Sequence, residues 1–245
     1  MRVKAIVSYD GSLFNGFQKQ TKQDVITIQG SIEKVLSTIF NKGVDIHGAG
    51  RTDKGVHALN QVFHFDFDKE DYDLSKLKYS LNRMLPSAIL IKDLIRVKDD
   101  FHARKSALKK HYRYCIRLNP DPFVNNYMLV YLKPLDLDLI LKGMDLFLGK
   151  HQFYNFCSNN EIDDEYEKEI FEFTLTRKDN DLIFDIIGTG FKRYMVRMIM
   201  GTLLALGDHQ IDLNYIKEKL SAPLGNNTSY NAEPQGLYLV EVIYD

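Results

Sequence analysis

In the run QVFHFDF, Gln61 to Phe67, apolar and polar residues alternate without a break from Phe63 onward. In an extended strand this places Phe63, Phe65 and Phe67 on one face, because successive side chains point to opposite sides of a sheet. Three phenylalanines on one face require a layer packed against them, so the pattern calls for a sheet with helices on one side. Residues 2–9 and the run AILIKDLIRV also read as strands. The segment 109–118 alternates with Tyr112, Tyr114, Ile116 and Leu118 on one face. Residues 169–177 and 182–188 form a predicted hairpin around Asp179-Asn180-Asp181, an Asn/Asp-rich turn, and GLYLVEVIY reads as a last strand.

Helical spacing accounts for most of the rest. Thr27 is an N-cap candidate for a helix carrying Ile28, Ile32, Val35, Leu36 and Ile39, with Gly43 as its end and a short strand over Val44–His47. Asp73 opens a short helix with Leu74, Leu77 and Leu81, closed by Pro86. Asp136 caps another with Leu137, Ile140, Leu141, Met144 and Leu148. Further helices are predicted from about Phe191 to Leu206 and from Asp212. The mixture predicts an α+β fold of two related α/β halves, residues 1–104 and 105–245, in which a largely antiparallel mixed sheet is flanked by helices.

A chain of 245 residues that is 44% hydrophobic can bury one large core or two small ones. Cys115 and Cys157 are too few for a disulfide framework or a cysteine-built zinc site, which fits a reducing, cytoplasmic setting. The chain opens directly on a strand pattern rather than a signal peptide, and no apolar run approaches a membrane span. A net charge of −1 argues against general nucleic-acid binding, but the charges are segregated. Lys105, Lys109, Lys110, Arg113 and Arg117 share one segment without an acid, as do Lys192, Arg193 and Arg197. Acids gather instead at Glu161, Asp163, Asp164, Glu165, Glu167 and Glu169. Such basic segments are either solvated faces or the walls of a phosphate-binding groove.

The densest polar cluster is the loop GAGRTDKGVH, from Gly48 to His57, set between two strands. Its glycines, Gly48, Gly50 and Gly55, allow close backbone approach or positive φ, and Arg51, Asp53, Lys54 and His57 project from it. A nucleotide-binding P-loop fails, because the GxxxxGK[ST] pattern is absent and no helix follows the glycines directly. A metal site is weak, since His47 and His57 lack further ligands at suitable spacing. Two readings stay open: a catalytic carboxylate beside a cation in an RNA groove, and a tight loop stabilised by its own Arg–Asp pair.

GRTDKGVHA resembles the signature loop of the tRNA pseudouridine synthase A family, usually written GRTDxGVHA. YDGSLFNGFQKQ, IQGSIEKVL, NRMLPSAI, DDFHARKSALKKHYRYCI, FKRYMVRMIMGTLLALG and QGLYLVEV resemble the family's other blocks, in order along the chain. The resemblance implies isomerisation of uridine to pseudouridine in the anticodon stem-loop of tRNA, at positions 38–40, without a cofactor or metal. It implies that Asp53 is the catalytic carboxylate acting at C1′ of the target uridine. Arg197 matches the arginine that pairs with that carboxylate, and Tyr112 the tyrosine that stacks on the uracil.

Arg51 resembles a residue that helps extrude the base; Lys54 and His57 match positions that contact RNA backbone or shape the loop. Lys109, Lys110, Arg113, Lys192 and Arg193 would line the groove. The family acts as a homodimer, with tRNA lying across a basic cleft made by both subunits. Departures are modest: Phe17 stands where Trp is common, and Lys54 where a small residue is common. The alternatives are an RNA-binding or RNA-folding protein that keeps the scaffold, and a related synthase acting at another RNA position.

Overall fold

The computed structural model describes residues 1–20, 25–68, 71–158 and 166–244. The chain divides into two compact units, Met1–Leu108 with Tyr238–Asp245, and Lys109–Leu237. The division therefore falls at 108/109 rather than 104/105, and the last strand returns to the first unit instead of staying with the second half.

In the first unit the elements are β1 (Arg2–Tyr9), α1 (Ile28–Phe40), β2 (His47–Gly48), β3 (His57–Asp66), α2 (Leu74–Met84) and β4 (Ile89–Val97). β1 lies between β3 and β4, antiparallel to both, and β2 pairs antiparallel with β3. One face of β1 buries Val3, Ala5, Val7 and Tyr9, and α1 buries Ile28, Ile32, Val35 and Leu36. Phe40 at the end of α1 stacks on Phe67 with ring centroids 4.9 Å apart, so the phenylalanine face is covered by helix as its alternation requires.

β3 departs from simple alternation, because Gln61 to Phe65 are buried without interruption. On the opposite face His64 packs against Phe101 and His102, and the Lys4 ammonium, paired in register with His64, lies 5.2 Å from the centre of the Tyr244 ring. A loop and the C-terminal segment thus cover the face that the sequence pattern left to solvent. The strand expected over Val44–His47 is reduced to β2, His47–Gly48, and Val44–Ile46 stays outside it. The Val44 N–H donates to the Ser37 hydroxyl at 3.1 Å and the Ile46 N–H to the Glu33 carboxylate at 3.2 Å, so side chains of α1 take donors a ladder would have used. α1 itself ends at Phe40 on Asn41, left-handed at φ 51°, two residues before Gly43.

The second unit holds β5 (Lys109–Arg117), β6 (Leu129–Val130), α3 (Leu137–Asp145), β7 (Gly149–Gln152), β8 (Glu167–Lys178), β9 (Asp181–Gly188), α4 (Met195–Gly207) and α5 (Leu213–Ser221). β5, β9, β8 and β7 follow one another as antiparallel neighbours, and β6 joins β5 in parallel. The β8–β9 hairpin turns on Asp179 at φ 52°, a conformation that Asp and Asn tolerate. α4 is buried at every residue except Arg197, as a helix at the centre of a unit must be. It begins at Met195 rather than near Phe191, because Tyr194 is left-handed at φ 65° and a right-handed helix cannot run through it. In α3, Ile140 and Met144 are buried as expected and Leu141 is exposed, whereas Leu148, also exposed, lies beyond the helix end at Asp145. β10 (Leu237–Ile243) closes the chain, and its Tyr238 and Leu239 pair in parallel with His57 and Ala58.

Candidate active site

The loop between β2 and β3 is fixed at almost every residue by neighbours within the first unit. At its start the Ala49 N–H donates to Val62 O at 2.7 Å, and the fully buried Gln61 amide donates to Gly50 O at 3.2 Å. The Thr52 carbonyl accepts from the Phe17 N–H at 3.0 Å, and its hydroxyl lies 2.7 Å from that of the buried Tyr9. Burial pushes the Tyr9 phenol well above its ordinary pKa, with the Thr52 and Gln61 hydrogen bonds opposing, so Tyr9 is a neutral partner. Asp53, half-buried, heads a four-residue turn closed by the Val56 N–H on Asp53 O at 3.1 Å, with Gly55 at φ 82° in the position where such turns require it.

The segment after β1 forms the seat of this loop. Asp10 caps a 3-10 turn over Gly11–Leu13, and Gly11 lies so close to the loop that a Cβ there would overlap the Val56 carbonyl. Gly16, at φ 93°, would place a Cβ 2.8 Å from Thr52 O. The two sequence blocks YDGSLFNG and GRTDKGVH are therefore one packed object.

His57 is 2% exposed, and its Nδ1 accepts the Gly11 N–H at 3.1 Å. The Asp10 carboxylate also lies 3.3 Å from Nδ1. The ring stacks on Tyr238 at 4.7 Å. Arg51 and Lys54 are exposed.

Tyr112 and the remaining basic residues belong to the second unit. Tyr112 stands on the buried face of β5, 8% exposed, with the Phe191 ring edge-on at 5.2 Å. Arg197 donates from Nε to Ala232 O at 2.7 Å, and its own carbonyl accepts the Ala232 N–H at 2.9 Å, a reciprocal clamp. Lys192 lies over the Tyr166 ring at 5.1 Å, and the exposed Arg193 over the Tyr194 ring at 4.8 Å. Lys109 is exposed, with its ammonium 4.6 Å from the Phe171 ring centre, and Lys110 is half-buried.

Arg113 departs from expectation. Its guanidinium grips Asp185 of β9 through Nε at 3.0 Å and Nη2 at 3.3 Å, and His111 lies 2.6 Å from the same carboxylate. Arg117 is likewise paired with Asp181 and, at 2.8 Å, with Asp121. A basic run without acids in sequence is thus partly neutralised by acids that the β5–β9 register sets opposite it.

Glu161, Asp163, Asp164 and Glu165 lie outside the described residues; Glu167 and Glu169 stand on β8. His47 neighbours His64 and His102 rather than His57, with ring centres at 5.0 and 6.1 Å. Among the described residues no group of three or more His, Cys, Asp or Glu is arranged to hold a metal ion, and no helix is long and apolar enough to cross a membrane. Sequence reasoning missed Tyr9, Thr52, Gln61 and Tyr194. The first three lie inside or beside the recognised motifs, and only the fold shows that they hold the loop.

A family model described as tRNA pseudouridine synthase matches residues 5–104 and 144–245. The chain belongs to that family, a family of isomerases. Among named relatives, tRNA pseudouridine synthase A of Lactobacillus acidophilus is 37% identical over all of this chain and 94% of its own length. The protein of the same name from a Geobacillus species is 39% identical over all of this chain and 98% of its own. The one from Staphylococcus aureus is 33% identical over all of this chain and 92% of its own. Among solved structures, a chain of a Cbf5-Nop10-Gar1 complex matches 82% of this chain and 54% of its own at 12% identity, with a TM-score of 0.36, too low to carry weight.

Proposed function

We propose that this protein isomerises uridine to pseudouridine in the anticodon stem-loop of tRNA, at positions 38–40, with Asp53 as its catalytic carboxylate. Support comes from similarity to relatives named tRNA pseudouridine synthase A along the whole chain. The observation that carries the proposal is the mounting of Asp53: a carboxylate at the head of a turn whose flanking residues Ala49, Gly50, Thr52 and Val56 are all hydrogen-bonded in place. A group held so firmly can meet a reacting carbon without ordering itself first, which is where much of an enzyme's rate advantage lies.

The chemistry asks for little else. The C1′–N1 bond of uridine breaks with its electron pair going to N1, the freed uracil turns, C1′ bonds to C5, and the C5 proton leaves to solvent while N1 takes one up. Substrate and product are isomers, so no external reductant, oxidant or water is consumed and no cofactor is required. The carboxylate supports the positive character that develops at C1′, either by bonding to it or by assisting departure of the base. Tyr112 offers its ring to the uracil and its hydroxyl toward the C5 proton. Arg197 supplies a permanent cation that keeps a carboxylate ionised in a desolvated site. Arg51 assists extrusion of the base, a step any enzyme acting on a stacked nucleotide needs. Lys54, Lys109, Lys110, Lys192 and Arg193 take phosphates. A homodimer in the cytoplasm, binding tRNA across both subunits, doubles these basic segments around a symmetric groove.

Mapping pseudouridine in tRNA from cells with and without the protein tests this directly. Loss confined to positions 38–40 is the expected result. Loss elsewhere would overturn the assigned position, and unchanged tRNA would overturn the activity.

A further inference from the structure

One residue of the second unit is strained in a place where strain serves an evident purpose. Tyr194 precedes α4 at φ 65° and ψ −4°, a left-handed conformation that a non-glycine, aromatic residue rarely adopts. Its side chain makes no capping hydrogen bond to the helix, so capping does not explain the choice. What the conformation does is put the ring beside two guanidiniums, that of Arg197 at 5.2 Å and that of Arg193 at 4.8 Å. The Tyr194 hydroxyl accepts from Arg193 Nη2 at 3.0 Å, which ties the ring down.

The other side of Arg197 is fixed as well. Ala232 holds it by the reciprocal pair of hydrogen bonds, and Gly201 lets the 230–232 segment approach α4 so closely that a Cβ there would lie 2.6 Å from Asn231 N. Tyr114 donates to Glu233 O at 2.6 Å and fixes the same segment one residue further on. Arg197 is thus held by a backbone carbonyl on Nε, with the Tyr194 ring centre 5.2 Å from its guanidinium carbon. A cation held against a ring face is oriented as well as attracted.

We propose that Tyr194 is a positioning residue for the isomerisation, setting the plane of the Arg197 guanidinium. The proposal rests on the role given to Arg197 above. It explains why backbone strain persists at this position: a right-handed residue would carry the ring away from Arg197 and let α4 start earlier. Strain of this kind survives where the surrounding structure imposes it and function uses it.

The test compares wild type with Tyr194→Phe and Tyr194→Gly. Glycine accepts the left-handed conformation freely and removes the ring, so α4 can keep its start while Arg197 loses its platform. Two readouts are taken: steady-state tritium release from tRNA labelled at uridine C5, and the NMR signal of the Arg197 Nε–H, which the hydrogen bond to Ala232 protects from exchange and the ring current of Tyr194 shifts. For Tyr194→Gly, kcat falls by on the order of tenfold with KM for tRNA held, and the Nε–H signal moves and exchanges faster. Tyr194→Phe recovers most of the rate and the wild-type shift. Wild-type kcat in Tyr194→Gly, or an Nε–H signal unchanged by it, would overturn the proposal. So would a rise in KM alone. Absence of tritium release from wild type would refute the proposed activity, while the Nε–H signal would still decide whether Tyr194 aims Arg197.

Discussion

Gly11 shows how much of a reactive loop's geometry hangs on an atom that is not there. Its missing Cβ leaves room for the Val56 carbonyl, and its N–H orients His57. Gly11→Ala must push the turn away or break that bond. Crowding of this kind costs about 2 kcal/mol, and the displacement moves Asp53. A Tm lowered by several degrees, with kcat reduced and tRNA binding kept, is the expected outcome; wild-type kcat would show that the seat does not position the carboxylate.

His64 makes a second prediction at the same scale. Burial pushes its pKa down to about 4 from an ordinary 6.5, with His102, Arg2 and His47 adding repulsion, and Nδ1 already accepts the Ala103 N–H at 3.2 Å. The folded protein therefore refuses a proton that the unfolded chain accepts. Its contribution is fully present above pH 6.5 and is lost as pH falls from 6.5 toward 4. The loss is up to about 3 kcal/mol for this group. Urea midpoints at pH 7 and pH 4.5 measure it, and His64→Asn, whose Oδ1 can take the same N–H, should narrow the difference between them. An equal pH difference in both proteins would contradict the assignment.

At the scale of elements, strands and caps were the most legible features. Thr27, Asp73, Asp136 and Asp212 each accept a backbone N–H at the start of the helix they were expected to open. What sequence could not show was what lies across a strand. The run from Lys109 to Arg117 contains no acid, yet β9 places Asp185 against Arg113 and Asp181 against Arg117, since partners in a ladder come from distant sequence. Likewise the alternation in β3 carries no sign that Phe101, His102 and Tyr244 lie over its polar face. The start of α4 escaped because apolar spacing continues through a residue whose backbone is left-handed.

These pairings separate the basic residues by the work they can do. Lys54 is exposed, whereas the Arg113 fork is spent on Asp185. In plots of log Kd for tRNA against log salt, Lys54→Ala should reduce the slope by about one, as loss of one phosphate contact does. Arg113→Ala should change it far less. An equal change in both would show that RNA binding pulls Arg113 away from its carboxylate.

At the scale of the whole molecule, the residues of the proposed site are divided between the units: Asp53 stands in the first, on a loop seated by the segment after β1, and Tyr112 and Arg197 in the second, on a buried strand face and on the central helix. The motif that marks the loop was legible in the sequence through its resemblance to the family signature, and Gly55, at φ 82°, stands where the turn calls for glycine. The residues that hold the turn, Tyr9, Thr52 and Gln61, were not, because their contribution is a set of hydrogen bonds closed only on folding. In the proposed function Asp53 carries the chemistry on a turn that the hydrogen bonds of Ala49, Gly50, Thr52 and Val56 hold in place. Tritium release from tRNA labelled at uridine C5, by wild type and by Asp53→Asn, tests that claim most directly. Release by wild type that disappears in Asp53→Asn, with tRNA binding and Tm retained, is the predicted result; release at the wild-type rate from Asp53→Asn would contradict it.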